Sequence, residues 1–246
     1  MSVDFDAANG TLRLDAEAFI TLAELSSEAV DPCDTTFARL VDAGAVLDGV
    51  PHPLLRPGLA AVAGSLASLQ VLVAGPRDVR LHHGWLSGDA ALLTDLGDGT
   101  YDFASVSVES VPESIARVTH VGPRPRLAAG SAVVDESVLD DLASGSTRAR
   151  ASGVEALADL LAPWPGAAAV VHAGGWRLAR VDVAFGDEGR TVARRLAWLD
   201  TDAGMLRVEA DDHGPVLVPV GTTELWRAVV AVLPGELDAG PVARSA

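Results

Sequence analysis

The chain is 246 residues long, 49% hydrophobic and 21% charged, the composition of a globular protein with a sizeable core. Its formal net charge of −16 and pI of about 4.6 oppose nucleic acid and anionic membrane surfaces as partners. All 18 basic residues are arginine, so no lysine can form a Schiff base, anchor pyridoxal phosphate or reach a nucleotide phosphate.

Residues 11–14 predict a short strand with Leu12 and Leu14 on one face. Asp15 then caps a helix to about Ser26 with Phe19, Leu22 and Leu25 inward, and Asp34 caps a second over 35–43 with Phe37, Leu40 and Val41 inward. A tight turn over 46–50 and an extended His52-Pro53 link lead to Pro57, in the first turn of a helix expected over 58–67. Strand-like runs follow at 69–74, 79–86, 90–93 and 101–108. Ser110-Val-Pro-Glu113 reads as a capping box before a helix over 112–118.

Gly122-Pro-Arg-Pro125 is the most linker-like stretch, because neither proline donates to a ladder and each biases its predecessor to be extended. Asp135 caps a helix to about Ser144 with Val138, Leu139 and Leu142 inward. An exposed segment over 146–152 is expected next, then a helix over 154–162 stopped by Pro163-Trp-Pro165. The apolar run 168–173 is expected to open a second series of strands, continuing at 176–185, 192–199 and 205–209. A helix over 223–233 closes it, and the tail from Gly235 lacks periodicity.

The order of elements therefore occurs twice, offset by about 100 to 110 residues, too long for a solenoid repeat and suited to two similar halves. The boundary falls at 122/123, giving half-repeats 1–122 and 123–246 that share one sheet in one compact domain. Short Gly/Asp turns pair neighbouring strands antiparallel, and helices cluster before strands instead of alternating with them. The expected class is α+β.

Few residues carry a chemical signature. Asp200-Thr-Asp202 after an apolar strand resembles the nucleophile motif of haloacid dehalogenase phosphatases, but Ala203-Gly204 replaces its continuation and the pair stands late in the chain. A calcium loop fails because Met205 stands where glycine belongs, so the pair reads as solvated turn acids. His82 and His83 are adjacent on a strand and point to opposite faces, one inward and hydrogen-bonded and the other exposed, unsuited to gripping one metal. Cys33, the single cysteine, has no partner for a disulfide and no histidine close in sequence, which fits a reducing cytoplasm and an inert thiol. Arg124, Arg126, Arg148 and Arg150 are the one basic concentration, read as solvated surface. The acidic start Met1-Ser-Val-Asp-Phe-Asp lacks a signal peptide's basic opening, and arginine in place of lysine suggests a GC-rich actinobacterium. No metal or cofactor is called for.

Several stretches resemble the EspG family, chaperones of actinobacterial type VII (ESX) secretion. They are the helical opening over 15–25, Phe37-Ala-Arg-Leu-Val-Asp-Ala-Gly44, and Leu196-Ala-Trp-Leu-Asp-Thr-Asp-Ala-Gly204 followed by Val216-Leu-Val-Pro-Val220 and a terminal helix. The resemblance implies a quasi-two-fold fold with a central antiparallel sheet and two helical groups. It also implies a cytosolic, non-catalytic protein that binds the helical tip of PE–PPE-type secreted substrates. The chain departs from the family in its shorter length and in the brief Ser87-Gly-Asp89 connection, where substrate-gripping members carry a longer loop. The expected partner surface is Trp85, Leu86, Ser87 and Asp89 at one strand edge, where alternation should expose one of Trp85 and Leu86 as an anchor, with Arg148 and Arg150 as a polar rim. Two readings compete: a small hydrolase or phosphatase using Asp200, Asp202 and His82 or His83, and an acidic immunity or adaptor protein blocking a basic partner.

Overall fold

The computed structural model describes residues 3–25, 34–187, 190–212 and 214–235. Cys33, His213, the expected helix end at Ser26 and the tail beyond Gly235 lie outside the described residues. The first elements are β1 (Asp4–Asp6), β2 (Thr11–Asp15), α1 (Ala16–Glu24), α2 (Thr35–Asp42), β3 (Val46–Leu47), β4 (Val50–Pro51) and α3 (Arg56–Ala63). Then come β5 (Ala67–Ala74), β6 (Val79–Leu86), β7 (Ala90–Asp95), β8 (Thr100–Val106) and α4 (Val111–Thr119). The rest are β9 (Ala132–Val133), α5 (Glu136–Ala143), α6 (Thr147–Leu160), α7 (Pro165–His172), β10 (Trp176–Asp187), β11 (Arg190–Thr201), β12 (Gly204–Asp211), β13 (Gly214–Val220) and α8 (Thr222–Val232).

Among the described residues, eleven strands form one sheet in the order β1-β2-β8-β7-β6-β5-β10-β11-β12-β13-β9, and β3 pairs with β4 separately. The pairings β1–β2, β2–β8, β8–β7, β7–β6, β11–β12, β12–β13 and β13–β9 are antiparallel. The class is α+β, as the turn chemistry predicts. By contact the chain divides into two units. One comprises Met1–Leu69, His82–Val111 and Ala184–Val192; the other comprises Gln70–Leu81, Pro112–Val183 and Ala193–Ala246.

In the first unit, alternation along β2 puts Leu12 and Leu14 into a core with Leu22, Leu40, Leu55, Leu59 and Phe103, all essentially inaccessible. Asp15 accepts from Ala18 N at 3.0 Å and Asp34 from Thr36 N at 2.7 Å, so both predicted N-caps form, each contributing about 1 kcal/mol. Three expectations are corrected here. Val41 is exposed, because the buried face of α2 runs through Thr36 and Leu40, one turn apart. α3 stops at Gly64, and the residues expected to extend it to 67 lead instead into β5, where Ala67, Leu69 and Val71 are buried at period two. Val108, expected to end the fourth strand-like run, instead opens a 3-10 turn, Val108–Ser110, with Ser107 in the extended position before it and α4 directly after it.

In the second unit, Leu142, Leu157, Leu161, Trp164, Leu178, Leu199, Leu206 and Leu217 form a core in which α5, α6 and α7 cover one sheet face. The run 168–173, expected as a strand, belongs to α7. Pro165 suits the helix's first turn, and Ala167 and Val171 are buried while Ala169 and His172 are exposed, a helical period. Residues 146–152, expected as an exposed segment before the helix, are exposed at 146–148, 151 and 152 but already form the N-cap, Ser146, and first turns of α6, with Ser146 Oγ accepting from Ala149 N at 3.4 Å. The linker-like stretch after α4 is tied down along its length. Thr222 Oγ1 donates to Gly122 O at 3.0 Å, and the Trp164 indole N–H donates to Ala128 O at 2.8 Å.

Candidate functional site

Asp200 is the most constrained acid described. It is 4% exposed at the end of β11, and its oxygens accept from Arg124 Nε at 2.8 Å, Arg124 Nη2 at 2.9 Å and Arg177 Nη1 at 3.3 Å. Burial pushes its carboxyl above the ordinary value, and the hydrogen bonds and charge of Arg124, then the charge of Arg177, pull it back. This corrects the expectation of two solvated turn acids: Asp202 is exposed, Asp200 is not, and Arg124 is an ion-pair partner rather than solvated surface.

Of the groups proposed for hydrolysis, Asp200, His82 and His83 each make other contacts. Asp200 is held by two guanidinium groups. His82 is buried on β6 with Nδ1 accepting from Asp95 N at 3.1 Å, as expected for the inward member of the pair. His83 is half-buried rather than exposed and stacks on Trp85 with ring centroids 6.1 Å apart; burial lowers its pKa and Asp95 partly opposes this.

At the expected partner surface, Leu86 is buried and Trp85 half-buried, stacked on Phe19 at 5.6 Å against the first unit's core. Neither is the freely exposed anchor that alternation suggested, because α1 covers the face that Trp85 occupies. Leu86 pairs with Ala90, and Ser87 N donates to Asp89 O at 2.8 Å, closing a turn with Asp89 exposed. In the other unit, Arg148 is exposed on α6 but Arg150 is 6% exposed. Its guanidinium donates to Ser144 O at 2.7 Å and Arg77 O at 3.4 Å, so it fastens the end of α5 and cannot serve as a polar rim.

The feature that sequence reasoning missed is a groove within the second unit. Its floor is Leu72, Leu178, Ala197, Val208 and Pro215, one from each of the neighbouring strands β5, β10, β11, β12 and β13. Its wall is α5, through Glu136, Leu139, Asp140 and Ala143, and its volume is about 370 Å³. Four interstrand steps of about 4.8 Å make it about 19 Å long, running across the strands. At one end Arg180 and Arg195 both pair with Asp182, at 2.9 and 2.6 Å. The hydrogen bond to Asp182 raises the Arg195 pKa most, and Glu136 and Asp140 add to it from α5. Small residues at Ala143, Ala197 and Ala210 leave room for it, but nothing in the sequence aligns them without knowing which strands neighbour one another.

Among the described residues no helix is long and apolar enough to cross a membrane. No known family model matches the sequence, and no curated protein matches it. A solved structure does: the Mycobacterium tuberculosis type VII secretion system chaperone EspG5 in complex with the PE25–PPE41 dimer. The TM-score is 0.59 at 14% identity, with 91% of this chain and 97% of that chain covered. The two share a fold. The expected EspG-like architecture, an antiparallel sheet with helices, is therefore present, reached without the sequence identity that would carry a function with it.

Proposed function

We propose that this protein captures a helical secreted protein and keeps it soluble for a type VII secretion machinery, without catalysing a reaction. The observation that carries this reading is the shape of the groove. Its length of about 19 Å matches about 13 helical residues at 1.5 Å per residue. A helix about 19 Å long and 10–12 Å across would occupy on the order of 1,500 Å³ or more, far above the groove's volume of about 370 Å³. A helix with side chains is about 10–12 Å across and cannot enter, but one stripe of its side chains can. The occupant is therefore an amphipathic helix lying across the strands, its apolar residues at helical spacing seated over Leu178, Ala197 and Val208. That EspG5 has this fold and was solved with a PE25–PPE41 dimer supports the class of partner. Ser87 and Asp89 in one unit, and Arg148 in the other, are separate further contact points of this reading; Trp85, Leu86 and Arg150 are packed supports behind them.

The test is co-expression of the tagged protein with helical-hairpin secretion substrates encoded near its gene, followed by capture and size-exclusion chromatography. A stable complex is expected. Ala210→Trp should weaken capture at least tenfold with the melting temperature unchanged, since Ala210 is an exposed groove residue on β12. Equal capture by wild type and Ala210→Trp would remove the groove from the reading. Failure to capture any helical substrate would remove the reading itself.

A further inference from the structure

The cations that line the groove are paired, and the acids on its helical wall are not. Arg180 and Arg195 both face Asp182, at 2.9 and 2.6 Å. On β12, Glu209 accepts from Arg207 Nε at 3.0 Å, while Asp211 stands exposed near the β13 end. Glu136 and Asp140 line the groove from α5, both exposed. Among the described residues neither makes a hydrogen bond or a close ion pair. In and beside the groove, therefore, three guanidinium groups meet five carboxylates, and the uncompensated charge sits on the wall.

α5 runs along the groove. Its N-terminal end is fastened to β13, where Val134 N donates to Pro215 O at 2.9 Å. Its C-terminal end lies beside the turn after β5, because Arg150 donates both to Ser144 O at 2.7 Å and to Arg77 O at 3.4 Å. Glu136 and Asp140 are four residues apart on this helix, so they recur about 6 Å apart along the groove. A second helix lying beside α5 repeats its own i and i+4 side chains at that same spacing.

Resting on the reading of the groove as a helix-docking site, we propose that it selects a basic amphipathic helix. Such a helix bears lysine or arginine at i and i+4 beside its apolar stripe, paired with Glu136 and Asp140. Charges that flank the seam between two adjacent helices meet across it, as they do at the edges of a coiled-coil interface. The long stems of lysine and arginine cover the apolar margin at Leu139 and Ala143 while their heads reach the acids. A helix with acids at those positions sets like charges opposite each other and is rejected.

The experiment uses three synthetic peptides of about 13 residues, the length of the groove, each held helical by a lactam bridge on its solvent face. They share one leucine stripe and differ only in carrying Lys, Gln or Glu at the two flanking positions. Binding to the full chain is read by fluorescence anisotropy. At about 50 mM salt the Lys peptide is expected to bind about tenfold tighter than the Glu peptide, with Gln between, and the gap should narrow to about twofold near 0.5 M. Glu136→Gln with Asp140→Asn should bring the three peptides within about twofold of one another, and Glu136→Lys with Asp140→Lys should reverse their order. Ala210→Trp should weaken all three. Equal binding of the three peptides to wild type, all weakened by Ala210→Trp, overturns the charge selection and leaves the groove as a helix site. A ranking that survives Glu136→Gln with Asp140→Asn overturns the role of these two acids. Binding of none, or binding that Ala210→Trp leaves unchanged, overturns the groove reading and this inference with it.

Discussion

Arg124 grips Asp200 across 76 residues of sequence with two parallel hydrogen bonds, Nε to Oδ1 at 2.8 Å and Nη2 to Oδ2 at 2.9 Å. Asp200 closes β11, and Arg124 lies in the proline-flanked stretch that reads as a linker. The ion pair therefore converts a segment with no ladder of its own into a fixed strap. Removing Arg124 leaves the buried carboxylate with only the longer 3.3 Å contact from Arg177. Arg124→Ala is expected to cost about 3 kcal/mol in urea unfolding. Arg124→Ala with Asp200→Asn should cost less than the sum of the two single changes, because the second change removes the stranded charge. Additive losses in the double-mutant cycle would show that the pair is not coupled.

Gly204 lets that strap lie flat. Its φ is +148°, and a Cβ there would stand 2.6 Å from Leu127 Cγ and 2.9 Å from the Pro125 carbonyl oxygen. The first contact is with a side chain that can yield, the second with backbone that cannot. Gly204→Ala should destabilise by about 2 kcal/mol or more, from strain and displacement together. Leu127→Ala in the same chain should restore only part of that loss, as read by thermal unfolding. Full restoration would mean that the backbone contact is unimportant.

How legible the fold was depended on the range of the signal. The caps at Asp15 and Asp34, the alternation of Leu12 and Leu14, and the Gly/Asp turns are local, and each formed as read. The class followed from them. The run 168–173 was misread because a short apolar stretch rich in alanine satisfies both strand and helix, and Pro165 before it was the deciding cue. Arg150 and Asp200 were misread for one reason. A charged side chain is expected at the surface, and nothing near either in sequence reveals that Ser144 and Arg77, or Arg124 and Arg177, will meet it. The groove was invisible on the same grounds, since its floor is five residues drawn from five strands.

Arg150 carries a buried cation with carbonyl partners instead of an acid. Its Nη1 donates to the carbonyl of Ser144, the residue that ends α5, where the helix dipole is negative. Arg150→Met keeps much of the stem's packing and loses the bonds. It should cost about 1–3 kcal/mol, because the Ser144 and Arg77 carbonyls each lose a charged donor. Arg148→Met, two residues earlier and exposed, should change stability by less than about 0.5 kcal/mol. Similar losses for both in chemical denaturation would contradict the distinction drawn between them.

Asp15 sets an acid limit on the first unit. Burial alone would raise its pKa, but the Ala18 N–H bond and then the hydrogen bond and charge of Arg39 outweigh it, and the carboxyl titrates below its ordinary value of 3.8. A carboxyl with a depressed folded pKa binds protons more readily when unfolded. Its contribution is therefore fully present above about pH 5 and is lost as pH falls through 3.8 toward the folded value. Asp15→Ala removes both the N-cap of α1 and the partner of Arg39. The variant should be less stable than wild type by about 1–2 kcal/mol at pH 7, and the gap should close as pH is lowered toward 3. Asp15→Asn separates the two roles, since asparagine caps a helix nearly as well but cannot pair with arginine; its deficit at pH 7 should be smaller than that of alanine and should also shrink in acid. A gap between wild type and Asp15→Ala that stays constant from pH 7 to pH 3 in urea unfolding would show that the carboxylate's charge contributes nothing there.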